Sequence, residues 1–277
     1  MTAPRLAAAL AALLITACAA TAPEPPPPRA QLVSQSPPPS APPAPPAETA
    51  APEPSPPPPP AAPAERFDPS LPTEVPVAGD LVALVAHGPV GNDRAIVYLH
   101  GVCGDVTKYR SWSEAAVRFG TVVAVRGDDK CKEPGRYKWG HPLSRTDRRI
   151  LAALHAVGEA RGAPLDTGAI TLVGYSQGSA HAEALVRAFP SRYRRAVLVA
   201  GPNEHAPSSF REALAVAVVA GEKDLKTHLQ DAAAKAAKAG VRARYFELPG
   251  ARHGEYGPEA VPVMGEVLSW VFARDAP

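Results

Sequence analysis

Ile170-Thr171-Leu172-Val173-Gly174-Tyr175-Ser176-Gln177-Gly178 joins two kinds of structure in nine residues. Ile170 to Val173 is a short apolar run without alternation, the pattern expected of a strand buried on both faces. Ser179 to Phe189 then has helical spacing and stops before Pro190. Between them lies G-x-S-x-G. A strand that must reverse sharply into a helix leaves no room for a Cβ at the flanking positions, so glycine is needed there. The serine is lifted above the sheet edge, with the positive end of a helix aimed at it.

Outward from this stretch the same alternation repeats. Apolar runs at Leu81 to Ala86, Ala95 to Leu99, Val122 to Val125, Ala196 to Val199 and Leu214 to Val219 predict strands. Arg244 to Leu248 alternates and predicts a last one. Asp147 to Arg161 carries Ile150, Leu151, Leu154 and Val157 on one stripe and ends at Gly162 and Pro164. Lys226 to Ala239 and Val261 to Phe272 predict two more helices. Strands alternating with helices imply an α/β fold with a mainly parallel, doubly wound sheet covered on both faces. In such sheets, sites form at the carboxyl ends of strands.

The chemically distinctive residues fall at that edge. A serine hydroxyl is a weak nucleophile that needs a base held by an orienting group. Asp224 follows the strand ending at Val219, with Glu222 as a local rival. His253 follows the last strand in a Gly-flanked loop. His228 falls on a predicted helix and His205 follows the wrong strand. The order Ser176, Asp224, His253 is the one expected when a serine elbow of this kind carries a triad. A developing oxyanion needs fixed N–H donors. Gln177, after the serine, offers one. The loop Leu99-His100-Gly101-Val102-Cys103-Gly104-Asp105 offers the other, from Val102 first and Cys103 second, unless it is a plain glycine-rich turn.

Together the Leu99-His100-Gly101 loop, the Ser176 elbow, Asp224 and His253 resemble the α/β-hydrolase superfamily over roughly residues 77–273. Gly174 to Gly178 with Gly104-Asp105 is similar to its carboxylesterase and acyl-protein thioesterase branch. Cys103 and Ser179 depart from that branch, which usually has a further glycine at the latter position. The resemblance implies a hydrolase acting through an acyl-enzyme on small ester or thioester substrates, without metal or other cofactor. The superfamily's sheet order would make the strands before Cys103 and Cys131 neighbours. In an oxidising compartment the two could form a disulfide; otherwise they are free thiols. Only Gly201 to Ser209 stands where the superfamily often inserts a lid, so the lid is expected to be short or absent. Arg126 to His141, a long polar loop, either shapes the entrance or is a solvated surface loop.

Before residue 65 the composition changes. The 277-residue chain has 35 prolines, and most of them lie there. Arg5, the apolar run Leu6 to Ile15 and the stretch Ile15-Thr16-Ala17-Cys18 read as an export signal. The last four residues resemble the lipobox of bacterial lipoproteins. In that family Cys18 would carry lipid after removal of the leader; otherwise the cysteine is incidental. No Asp follows Cys18, which points to the outer membrane. Residues 19–64 are a Pro/Ala-rich tether. In polyproline II, at about 3.1 Å per residue, roughly forty such residues reach on the order of 100 Å. Residues 65–277 form the hydrolase domain. The net charge of +2 gives no bulk attraction for nucleic acid. No His and carboxylate pair has zinc-protease spacing, so no metal is expected. A non-catalytic anchored binding domain and a serine peptidase are the alternatives to an esterase.

Overall fold

The computed structural model describes residues 73–273. The leader, Cys18, the tether and residues 65–72 lie outside them. The described chain runs β1 (Thr73–Val75), β2 (Ala83–Ala86), β3 (Ala95–Leu99), α1 (Arg110–Ala116), β4 (Thr121–Val125), β5 (Asp129–Lys130) and β6 (Tyr137–Lys138). It continues through α2 (Leu143–Ala160), β7 (Ile170–Tyr175), α3 (Gln177–Ala188), β8 (Tyr193–Val199), β9 (Ala215–Gly221), α4 (Thr227–Lys238), β10 (Ala243–Leu248) and α5 (Ala260–Phe272).

Eight strands form one sheet in the order β1-β2-β4-β3-β7-β8-β9-β10. β2 pairs antiparallel with both β1 and β4, and every other neighbouring pair is parallel. The unbroken apolar runs follow from this arrangement. Along β3, Ala95, Val97 and Leu99 enter the core shared with α2, α3 and α4, while Ile96 and Tyr98 enter the core shared with α1 and α5. A strand covered on both sides has no polar face to alternate with.

Several boundaries differ from those the sequence suggests. The first apolar run becomes strand only from Ala83, and α2 begins at Leu143, with Pro142 as its N-cap. Proline fits a helix start because the missing N–H is not needed there. β1, α1 and the β5–β6 hairpin have no counterpart in the sequence reading. Residues 200–214 join β8 to β9 through a single 3-10 turn, Pro207–Phe210, that buries Phe210. None of them lines the cleft above the elbow.

Register sets up the site. Leu99 at the end of β3 is level with Gly174 on β7 and with Val125 on β4. The loops after β3 and β4 therefore open beside Ser176.

Candidate active site

Ser176 has φ 50° and ψ −117°, a left-handed conformation that L-residues other than glycine avoid. Two glycines permit it. A Cβ on Gly174 would sit 2.3 Å from the Gly178 carbonyl, and one on Gly178 would sit 2.1 Å from the Leu99 carbonyl. The elbow exists because β3, β7 and α3 approach more closely than any side chain allows.

Three of the predicted site residues meet here. Ser176 Oγ lies 3.2 Å from His253 Nε2, and His253 Nδ1 lies 2.9 Å from Asp224 Oδ2. A carboxylate can only accept, so Nδ1 carries the proton and Nε2 accepts from the serine hydroxyl. The Asp224 side chain is 10% exposed and that of His253 54%. Glu222 is drawn away: it accepts from Gly250 N–H at 2.7 Å. His228 instead contacts the Gly201 carbonyl at 3.0 Å.

The loop after β3 is held from behind. His100 is buried, and its Nε2 accepts from Gly127 N–H at 2.8 Å. Its Nδ1 therefore donates, to the Gly101 carbonyl at 2.7 Å; Gly104 N–H donates to the same oxygen at 2.9 Å. In a trans peptide the N–H points opposite to the carbonyl, so fixing the Gly101 oxygen aims the Val102 N–H the other way. Val102 and Ser176 line one cleft, and a Cβ on Gly101 would come within 3.2 Å of Ser176 Cβ. Gln177 opens α3 directly after the serine, where the first amides of a helix have no partner within it.

Cys103 and Cys131 form a disulfide with Cα atoms 5.8 Å apart, tying the loops after the neighbouring strands β3 and β4. Cys103 has φ 48°, so the crosslink sits at a bend directly after Val102.

No protein-family model and no curated protein matches this chain. Solved structures do. A dienelactone hydrolase from Anabaena variabilis superposes with TM-score 0.52 at 18% identity, covering 74% of this chain and 96% of its own. A carboxylesterase from Mesorhizobium loti gives 0.51 at 17% identity, over 70% of this chain and 98% of its own. A predicted CIB-like hydrolase from Thermoplasma acidophilum gives 0.51 at 15%, over 74% and 98%. The chain has the α/β-hydrolase fold. At these identities the likeness is one of fold, and what this hydrolase-fold chain does must be argued from its own site.

The loop after β4 is largely solvated, as one of the two expectations has it, and also has a part that neither foresees. No residue of 126–141 lines the cleft. Trp139 is buried, and its indole N–H donates to the His100 carbonyl at 2.8 Å. Its backbone exchanges two hydrogen bonds of 3.1 Å with the Gln177 side-chain amide. The loop braces the elbow and the Val102 loop from the side. A tryptophan in a polar stretch was the available signal.

Ser179 also gains a reason. Its Oγ lies 3.3 Å from His205 Nε2, while His205 Nδ1 donates to Glu183 at 2.6 Å. Glu183 further accepts from Ala206 N–H and Ser209 Oγ–H. These are the residue types of a triad, but Ser179 is 0% exposed and His205 2%. No substrate reaches them. They fasten the β8–β9 connection onto α3 and keep it off the cleft, and a glycine at 179 would remove one of the fastenings.

Tyr175, next to the serine, accepts from Gly254 N–H at 2.5 Å, next to His253. Burial pushes its hydroxyl pKa up to about 12, so it stays protonated. Tyr175→Phe is expected to let the His253 loop drift and lower kcat by about tenfold to a hundredfold with less change in KM. Steady-state kinetics checks this; unchanged kcat would contradict it.

Acid should destabilise the fold. Burial lowers the pKa of His87, His100 and His181, and Arg161 adds to the effect at His87, which falls to about 4. In the unfolded chain these groups titrate near ~6.5. As pH falls, the unfolded state takes up protons first. The stability these groups contribute is full above about 6.5 and is lost progressively toward pH 4. The melting temperature should drop over that window, and His87→Gln should make the drop shallower. A melting temperature flat from pH 7 to 4 would contradict this.

Proposed function

We propose that this chain is a serine hydrolase that cleaves small esters through an acyl-enzyme. Ser176 Oγ attacks the carbonyl carbon while His253 Nε2 takes its proton and Asp224 holds the imidazole in the required tautomer. The Val102 and Gln177 amides receive the oxyanion. The tetrahedral adduct collapses, the C–O bond to the alcohol breaks, and His253 returns the proton to the leaving oxygen. Water, deprotonated by His253, then releases the acid and restores Ser176.

One observation carries the reading: the continuous chain from Ser176 Oγ through His253 to Asp224, at 3.2 and 2.9 Å. The cleft beside it favours small substrates. Its volume is about 210 Å³, below the ~300–1,000 Å³ usual for drug-sized ligands. Thioesters fit the same chemistry. An activated ester mixed with the protein and quenched in acid should leave an acyl adduct by intact-mass spectrometry. The adduct should be absent from Ser176→Ala. A folded protein that turns over neither esters nor thioesters, but does cleave peptides, would move the assignment to a peptidase.

We further propose that Cys18 is lipidated and that the Pro/Ala segment tethers the domain to an envelope membrane through that lipid. The Cys103–Cys131 crosslink fits an oxidising compartment.

A further inference from the structure

The cleft beside Ser176 has a floor unlike an alkyl-chain pocket. Tyr98 and Tyr256 line it, only 1% and 3% exposed, and Trp112 lies behind them, 0% exposed. The Trp112 ring centroid is 5.8 Å from that of Tyr98 and 6.0 Å from that of Tyr256. The Tyr256 hydroxyl sits beside both the Trp112 indole nitrogen and the Tyr98 hydroxyl. Yet neither it nor Trp112 Nε1 has a hydrogen bond of good geometry. Tyr175, the third tyrosine of the cleft, is already held by Gly254.

Hydrogen-bond arithmetic then leaves a donor over. An indole N–H only donates, and each phenol brings one hydrogen. If Trp112 donates to Tyr256 and Tyr256 to Tyr98, the Tyr98 hydrogen has no acceptor within the trio. Reversing the order of the phenols leaves the Tyr256 hydrogen instead. Asp105, at the same rim, is occupied by the Thr107 N–H and O–H at 2.8 and 2.7 Å and faces Arg136 at 3.8 Å. An alkyl group pressed onto this floor would offer the spare hydrogen no acceptor. Leaving a buried donor unmet costs more than making its bond gains.

We propose that the cleft selects small esters whose group lying on the Tyr98–Tyr256 floor carries a neutral oxygen acceptor, such as an ether, hydroxyl or keto oxygen, over alkyl groups of the same size. This rests on the proposed hydrolase activity and adds the substrate class. The shared chemistry is the acceptor oxygen. Whether it belongs to the acyl or the alcohol part depends on which part enters the cleft, and the two arms of the test separate these sources.

The test compares isosteric pairs on the full-length protein. One pair varies the acyl group, 3-methoxypropanoate against pentanoate of one alcohol. The other varies the alcohol, 2-methoxyethyl against butyl acetate. Each kcat/KM ratio is divided by the corresponding ratio for alkaline hydrolysis, which removes intrinsic reactivity. One pair is expected to favour the ether by about tenfold or more. The double variant Tyr98→Phe/Tyr256→Phe should bring that ratio to near one, because either single variant still leaves a phenol hydrogen to spare. The ratio is internal to each preparation, so a partly unfolded variant does not distort it. Corrected ratios near or below one in both pairs for the parent would overturn the proposal, as would a preference that survives the double variant. Failure of the hydrolase reading itself looks different: no turnover of any ester and no acyl adduct on Ser176.

Discussion

Ester hydrolysis by Ser176→Ala and by His253→Ala is expected to fall by about five to six orders of magnitude in kcat, and the double variant should be no slower than either single one. The reason is that the two groups act as a unit. Ser176 Oγ is 3.2 Å from His253 Nε2 and has no other base in hydrogen-bond contact among the described residues. Once the serine is gone, the imidazole has no proton to take. Once the imidazole is gone, the hydroxyl keeps its proton. Asp224→Asn should be milder, at about four orders of magnitude, because it turns the imidazole to the wrong tautomer and leaves the groups in place. Steady-state kinetics with one activated ester measures all four variants. Additive losses, or a single variant within tenfold of the parent, would contradict a Ser176–His253–Asp224 mechanism.

Cutting the Cys103–Cys131 crosslink should have the next largest effect, and on two quantities at once. The two cysteines are 28 residues apart. A loop of that length constrains the unfolded chain by roughly 3–4 kcal/mol on the loop-entropy model. For a domain of this size the melting temperature should fall by roughly 10 °C. The crosslink also closes the bend after Val102. Without it, the loops after β3 and β4 stay joined before Val102, where His100 meets Gly127 N–H and the Trp139 indole, but beyond Val102 they are joined by the isolated Gly104–Tyr137 bridge and by the Arg136–Asp105 pair at 3.8 Å, more than a third exposed on both sides. Such a pair contributes little. The oxyanion donor should wander, and kcat should fall by about tenfold, a fraction of the roughly hundredfold or greater loss on deleting a donor outright. Cys103→Ser/Cys131→Ser, assayed well below its melting temperature, separates the effect on rate from that on stability. A stable variant with parental kcat would show that the Val102 loop holds itself.

How far the sequence reveals this site depends on how local each constraint is. The elbow is legible because the clash at Gly174 comes from Gly178 within the same turn; Gly178 meets the distant end of β3 and shows in the sequence only as part of that motif. Asp224 and His253 are legible because each follows a strand at the sheet edge where sites form. The supporting residues are not, because their partners are distant in sequence. Trp139 reaches Gln177 across 38 residues, and His205 reaches Ser179 across 26. No periodicity marks either pair. α1 escapes because seven residues are too few for a helical stripe to stand out. β1 escapes because it is a three-residue edge strand with one buried side chain. The polar loop after β4 gives away its hairpin least of all. Only Trp139 is buried among its aromatic residues, and its exposed charges hide the anchor.

The most direct test of an activated Ser176 is labelling with a fluorophosphonate probe, which reacts with serine hydroxyls made nucleophilic by a neighbouring base. The purified protein and its Ser176→Ala variant would be treated in parallel and the modified peptide located by mass spectrometry. Labelling of the parent alone, on the peptide that carries Ser176, is the predicted result. A folded parent that stays unlabelled, or a label on any other serine, would contradict it.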